Sequence, residues 1–344
     1  MEYRILGRSG CVVSTLALGT LSFGRESSED VSREQLDQYV EVGGNLIDTA
    51  DVYLAGVSEE IIGRWLKTKS VAFREELVVA TKGRFSSGGN GPNNEGLSRK
   101  HLDVALTASL RRLQLETIDL YQVHGYDPLT PIEETLRFLD DAVRMGKVRY
   151  VGLSNFTGWQ IQKAIDVATF NHLSVPVSLQ PQYNLLVREL EWEITPACAA
   201  EGLSLLPWSP LGGGWLTGKY RRDERPKGAT RLGEKLDGGA EEFDRRNPQQ
   251  RTWDVLASLE QVAKAREASL AQIALAWLVD RPTVTSVILG ARTVEQLKAN
   301  LGAAGLHLGP DEAALLDKAS TPMTSDYPYG GPGADQRSRT ITQY

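Results

Sequence analysis

The sequence predicts an α/β protein, an eight-stranded (β/α)8 TIM barrel with an amino-terminal β-hairpin and long βα loops. Three observations predict it: short, nearly continuous apolar runs recur eight times, amphipathic segments lie between them, and most of those segments open on a residue suited to starting a helix. Such strands alternating with helices imply a parallel sheet covered on its outer side, and eight repeats is the number that closes into a barrel with no open edge. A doubly wound dinucleotide fold would want a GxGxxG turn after an early strand, and none occurs.

From the amino terminus, YRILGRSGCVV reads as two strands turned at Gly7 to Gly10. The strand runs are TLALG, NLIDT, LVVATK, IDLYQVH, VRYVGLS, VSLQ, LSLLPWS and TSVILG. Helical patterns fall at 33–42, 58–69, 98–113, 131–144, 157–168, 189–201, 251–267 and 293–300, most opened by Ser, Thr, Asp or Pro, which cap a helix or preset its first φ. A further pattern at 269–279 reads as extra barrel wall. Residues 83–97, 211–248 and 320–344 exceed a minimal barrel and are rich in Gly, Pro and charge. Loops longer than about 12–15 residues are usually functional or disordered, so these segments read as flaps over cofactor and substrate, not linkers. The expectation is one domain, 1–344, with 211–248 covering the cofactor and 320–344 as a carboxyl-terminal tail.

With 41% hydrophobic and 24% charged residues over 344 positions, the chain has the composition of a soluble protein with a sizeable core. The formal charge of -6, with no cluster of Lys and Arg, argues against a nucleic-acid partner and for a small-molecule one. Cys11 and Cys198 stand far apart, outside any CxxC or Cys/His spacing, so no metal site and no disulfide framework is expected and a reducing cytoplasm is the default. The start MEYRILGRSG lacks the apolar core of a signal peptide, and no run of about 18 apolar residues occurs, so no membrane association is expected.

Chemistry in such barrels gathers at the carboxyl ends of the strands. The second strand ends in Asp48, the third in Lys82, the fourth in His124, the fifth in Ser154 and Asn155, the sixth in Gln180, the seventh in Trp208 and Ser209, and the eighth in Gly290. Asp48, Lys82 and His124 end adjacent strands, which run about 4.8 Å apart, so the three heads can meet, with Tyr53 folded back over the same rim. A phenol is a poor acid at neutral pH, but an ammonium beside its oxygen favours the phenolate, and Asp48 keeps that ammonium charged. The set suits protonation of an oxygen that gains negative charge as hydride adds to a carbonyl, with His124 orienting that oxygen. Ser154, Asn155 and Gln180 offer what a carboxamide needs, and Trp208 a flat face for a nicotinamide ring. Asp51 reads as a solvated loop carboxylate or helix cap.

At these residues the chain resembles the aldo-keto reductase superfamily, through NLIDTADVY, VATK, QVHGYD, GKVRYVGLSNF, LQPQYNLL, PWSPLGGGWLTGKY and GARTVEQLKANL in that order along nearly its whole length. It is most similar to the branch holding bacterial sugar-modifying reductases and the β subunits of voltage-gated potassium channels. The resemblance implies a catalytic tetrad of Asp48, Tyr53, Lys82 and His124, with Tyr53 as the acid. It implies carboxamide contacts from Ser154, Asn155 and Gln180, a ring stack by Trp208, pyrophosphate contacts from Ser209, Leu211, Gly213 and Lys219, and Gly19 and Thr20 beside the cofactor. The adenosine end would be held by Gly290, Ala291, Arg292, Gln296 and Asn300. Many members carry a lysine where Gly290 stands, and Arg292 is the substitute for gripping a 2′-phosphate, which makes NADP(H) the expected cofactor. Many also carry a glutamate where Ala299 stands, leaving adenine to Gln296 and Asn300.

The expected function is NADPH-dependent reduction of an aldehyde, ketone or keto-sugar, in a pocket lined by Phe23, Trp65 or its neighbours, Phe85, Tyr126, Trp215 and the tail DYPYG. A second reading is a cofactor-binding regulatory subunit, against which the start of the chain at the barrel hairpin counts. Whether the chain works alone or as a homo-oligomer is left open.

Overall fold

The computed structural model describes residues 1–89, 91–228, 230, 232–233, 239–324 and 326–336. Parts of the 211–248 loop and of the 320–344 tail named above therefore lie outside the described residues. Eight parallel strands form one sheet: β1 Leu16–Gly19, β2 Leu46–Asp48, β3 Val78–Gly83, β4 Ile118–Val123, β5 Val148–Ser154, β6 Ser178–Gln180, β7 Ser204–Leu205 and β8 Val287–Leu289. Each pairs with its sequence neighbour, and β8 returns to β1 with Val287 opposite Leu16. The last seam is closed by backbone bonds, Thr285 N–H to Leu205 O at 2.9 Å and Ile288 N–H to Pro207 O at 2.9 Å. The sheet is thus a closed (β/α)8 barrel, as the alternating pattern predicts.

The helices that cover it are α1 Glu29–Glu41, α2 Val57–Lys67, α3 Arg99–Leu113, α4 Ile132–Arg144, α5 Gly158–Phe170, α6 Ile194–Glu201, α7 Gln250–Ala265, α8 Leu270–Val279, α9 Val294–Leu301 and α10 Pro310–Ser320. Their starts have local causes: Ser98 accepts the His101 N–H, Thr293 accepts the Gln296 N–H, and Ser269 and Gln272 cap each other reciprocally. Near the end α8 packs on β8 and is buried from Ile273 through Val279, whereas α7 lies against α8 and α10. The pattern at 269–279 is wall, as read, but it is the helix that packs on β8, and the segment at 251–267, expected among the eight covering helices, is instead the extra layer stacked outside it.

Two apolar layers result. Ala17, Leu46, Val78, Ala80, Leu120, Val177, Leu206 and Ile288 fill the barrel interior, and a larger cluster lies between sheet and helices. The hairpin strands Tyr3–Ile5 and Val12–Ser14 plug the amino-terminal end by adding Leu6 and Val13 to the interior. Its turn needs Gly7, at φ +53°, because a Cβ there would stand 2.0 Å from Val177 O. With that end sealed, the carboxyl ends of the strands are left to build a site.

Candidate active site

Asp48 closes β2 and Lys82 lies near the end of β3, and the strand register brings both into the top layer of the barrel, where each is buried. Lys82 Nζ donates to Asp48 Oδ2 at 2.7 Å, to Thr49 O at 2.7 Å and to the Tyr53 phenolic oxygen at 3.4 Å. Burial alone would push the ammonium towards neutrality, but the Asp48 carboxylate and the Tyr53 oxygen outweigh it, and the Lys82 pKa is raised. Asp48 Oδ1 accepts from Gln180 Nε2 at 2.8 Å and from Gln122 Nε2 at 3.3 Å. Gln122, which pairs in register with Lys82, escaped the reading of strand ends because the run IDLYQVH ends two residues further on, at His124.

Tyr53 is aimed by a strained turn: Leu54 and Ala55, neither a glycine, follow it at φ +48° and +52°. The turn is tied down behind by hydroxyls, Ser58 Oγ donating to Thr20 O at 3.0 Å and sharing a hydrogen bond with Thr49 Oγ1 at 2.9 Å. The Tyr53 and His124 rings meet edge to face at 6.0 Å. Burial, then the charges of Lys82 and Arg84, hold His124 down to a pKa of about 3. Its imidazole is therefore neutral at physiological pH.

From this rim a cleft of about 650 Å³ runs across the barrel mouth towards β8 and the start of α9. Every residue expected beside a cofactor lines it: Gly19, Thr20, Asp48, Ser154, Asn155, Gln180, Trp208, Ser209, Leu211, Gly213, Lys219, Gly290, Ala291, Arg292, Gln296 and Asn300. Several are already engaged within the protein. Asn155, at φ +56°, donates to His124 O at 2.9 Å and accepts the Trp208 indole N–H at 3.0 Å, so one amide fixes the neighbours on both sides. Gln296 Oε1 accepts the Arg292 backbone N–H at 2.9 Å, and Asn300 donates to Gly290 O at 3.4 Å, which shapes the distal end. Missed by sequence reasoning were Leu21, Ser22, Glu26, Pro210, Thr217 and Thr230, loop positions whose place depends on how the loops fold back.

The cleft suits a long anionic ligand. Burial and then the charge of Arg292 lower the Lys219 pKa, so two cations face the same space. A Cβ on Gly290 would meet nothing within 4 Å, and a Cβ on Gly214 would collide with Lys219 Nζ at 2.5 Å, so glycine is what leaves that ammonium room. Ser209, Leu211, Gly213 and Lys219 could hold a pyrophosphate and Arg292 a further phosphate.

The expected substrate wall is half corrected. Phe23, Trp65 and Trp215 are buried in the core and reach no open surface. Trp215 stacks on Phe243 at 5.5 Å and meets Tyr220 and Trp253 edge to face, so the aromatic in a glycine-rich loop anchors that loop instead of facing a ligand. Phe85 does stand at the rim, its ring 5.1 Å from His124 under the Arg84 guanidinium, and Tyr126 packs on Phe156 and on exposed Trp159. In the tail, Tyr329 stacks on Trp192 at 5.2 Å. Asp51 is neither solvated nor a cap: it is buried, and neither carboxylate oxygen has a hydrogen-bond partner. The backbone pairing continues past Asp48, the Asp51 N–H reaching Lys82 O at 3.1 Å, and this draws the residue in from the loop where it was expected.

Comparison with known proteins agrees with this geometry. The family model described as "Aldo/keto reductase family" matches residues 15–321. The chain is 36% identical over 342 residues to an "Uncharacterized oxidoreductase YrpG" of Bacillus subtilis, covering 97% of this chain and 98% of the relative. It is 37% identical over 307 residues to a "Putative voltage-gated potassium channel subunit beta" of Schizosaccharomyces pombe, covering 88% of each, and 35% identical to "Protein tas" of Escherichia coli, covering 92% of this chain and 97% of that one. Barrel, buried lysine–carboxylate pair and comparisons converge: the chain belongs to the aldo/keto reductase family.

Proposed function

We propose that the protein is an NADP(H)-dependent carbonyl reductase, taking an aldehyde, ketone or keto-sugar to the alcohol with Tyr53 as proton donor. The observation that carries this reading is the Lys82 ammonium held between Asp48, at 2.7 Å, and the Tyr53 oxygen, at 3.4 Å. When bound, the reduced nicotinamide supplies the hydride. The protein does the rest. Lys82 stabilises negative charge on the Tyr53 oxygen, so the phenol gives up its proton more readily to a carbonyl oxygen gaining charge. Neutral His124 offers that oxygen a hydrogen bond without a charge of its own. Asp48 keeps Lys82 protonated, and Gln180 and Gln122 hold Asp48 in place. Phe85 and Tyr126 form the aromatic side of the substrate space. Arg292, on a cleft that also takes in Lys219, favours NADPH over NADH.

The names of the channel-subunit relatives support a second reading, a cofactor-binding regulatory protein with little turnover. Among the described residues no helix is long and apolar enough to cross a membrane, and we place the protein in the cytoplasm as one catalytic domain. The deciding experiment follows NADPH absorbance with a panel of aldehydes, ketones and diketones, for the parent and Tyr53→Phe. Turnover in the parent that falls by about 10²- to 10⁴-fold in the variant supports a reductase. NADPH bound with no carbonyl reduced supports the regulatory reading. A variant at full rate removes Tyr53 from the chemistry.

A further inference from the structure

Behind Tyr53, on the outer face of the sheet, lies a second group of ionisable side chains that the mechanism does not use. Asp51 and Glu59 are fully buried, Arg112 reaches up from the last turn of α3, and Tyr121 comes from β4. Glu59 is satisfied twice, accepting from Arg112 Nε at 2.6 Å and from Thr81 Oγ1 at 2.6 Å. Asp51 is not satisfied at all, since neither of its oxygens nor the buried Tyr121 hydroxyl beside it has a hydrogen-bond partner. The guanidinium is thus engaged by Glu59 and gives Asp51 no hydrogen bond. A buried carboxylate with no donor is costly, whereas the neutral acid carries its own O–H.

The location gives this arrangement a consequence. Asp51 stands two residues before Tyr53, and Glu59 two residues into α2, so the pair brackets the turn whose left-handed Leu54 and Ala55 aim the phenol. Gly56, at φ +96°, is the hinge side of that turn, and a Cβ there would strike Arg112 Cδ at 2.6 Å. The turn therefore rests directly on the guanidinium that Glu59 holds. A second negative charge beside Glu59 would repel it, compete for Arg112 and disturb the footing of the turn.

We propose that Asp51 is a positioning residue for Tyr53: it supports the strained turn as an uncharged carboxylic acid, and loss of its proton loosens that turn and misaims the phenol. The groups facing it agree on direction. Burial first and the Glu59 charge second raise its pKa to about 7, while the charge of Arg112, the adjacent Val52 N–H, too poorly placed to make a hydrogen bond, and the charge of Lys82 favour the charged form more weakly. Burial first, with the neighbouring carboxyl groups adding to it, raises the pKa of Tyr121, which stays a phenol.

The inference rests on the reductase reading for its consequence in turnover, but its test need not. Amide hydrogen exchange over residues 50–58 of the full chain, corrected for the intrinsic rise with pH, is compared between parent, Asp51→Asn and Glu59→Gln. In the parent, protection should fall between about pH 6 and about pH 8, where a group titrating near neutrality goes from mostly protonated to mostly ionised. Asp51→Asn should abolish the fall, and Glu59→Gln should move it to lower pH, since it removes the charge that holds the proton on Asp51. If a carbonyl substrate is found, kcat for reduction should drop about tenfold over the same range in the parent and stay level in Asp51→Asn. Failure to find a substrate would count against the reductase reading while leaving the exchange result to decide on Asp51. Parent protection that is flat, or that falls equally in Asp51→Asn, overturns the proposal. Should Asp51→Asn fail to fold, a Glu59→Gln transition at unchanged pH overturns it equally.

Discussion

Lys82 Nζ lies 2.7 Å from Asp48 Oδ2 with both side chains shut off from solvent, and the two partners are not equally supported. Asp48 has two glutamine amides besides the lysine, whereas the lysine has one carboxylate and otherwise only neutral oxygens. Breaking a buried pair from one side leaves an uncompensated charge, at a typical loss of about 3–5 kcal/mol. Asp48→Ala should lose that much in denaturant unfolding. Lys82→Met, which leaves Asp48 still hydrogen-bonded and fills the space with an apolar chain, should lose roughly 1–3 kcal/mol. Both should be inactive as reductases. Equal destabilisation would mean that the glutamines do not hold Asp48.

The neutral state of His124 sets the acid side of the pH response. An unfolded imidazole binds its proton near pH 6.5, whereas the folded one resists until about 3. Between those values the unfolded chain holds more protons, so stability is fully present above the unfolded pKa and is lost as pH falls towards the folded one. His124→Gln removes this contribution. Melting temperature plotted against pH should therefore fall less steeply in the variant than in the parent below about pH 6. In reduction assays no step near 6.5 should arise from His124, and a step there that vanishes in His124→Gln would show a charged imidazole.

The barrel was legible because its signal is repeated: eight short apolar runs alternate with helical patterns, and errors in one do not move the others. The rim was legible for the same reason, as Asp48, Lys82 and His124 terminate neighbouring strands whose register is set by the pairing itself. Tyr53 required more, since its aim depends on left-handed Leu54 and Ala55, which no local rule anticipates. Asp51 and Trp215 were misread because burial of a loop residue is decided by what folds over it. An aspartate past a strand end and a tryptophan among glycines look exposed until Arg112 and α3 cover the first, and Phe243 and Trp253 the second.

Trp215 yields a prediction through that misreading. It is fully buried among Phe243, Tyr220 and Trp253, while its neighbours Gly213, Gly214 and Thr217 line the cleft. Replacement by Ala removes the anchor of the wall that would lie over a pyrophosphate. Large-to-small changes at buried tryptophans cost about 3–5 kcal/mol. Unfolding should register most of that loss, and the KM for NADPH should rise while kcat at saturating cofactor changes little. A fall in kcat at unchanged KM would place Trp215 in the substrate space after all.

On the proposed reading the distal end of the cleft would select between NADPH and NADH, and there two opposed charges meet. Arg292 Nη2 stands 3.8 Å from Glu26 Oε1, and both side chains line the cleft. A guanidinium grips a phosphate through paired charge-assisted bonds of about 1.5–3 kcal/mol, which corresponds to roughly 10- to 100-fold in affinity. Arg292→Ala should raise the KM for NADPH by that factor and leave NADH nearly unchanged. Glu26 would act against the same phosphate by repulsion and by competing for the guanidinium, so Glu26→Gln should shift preference further towards NADPH. Ratios of kcat/KM for the two cofactors in the three proteins test both halves at once. If Arg292→Ala leaves the ratio where it was, another cation reads the phosphate. If Glu26→Gln moves it towards NADH, the carboxylate is holding Arg292 in its working position instead of opposing it.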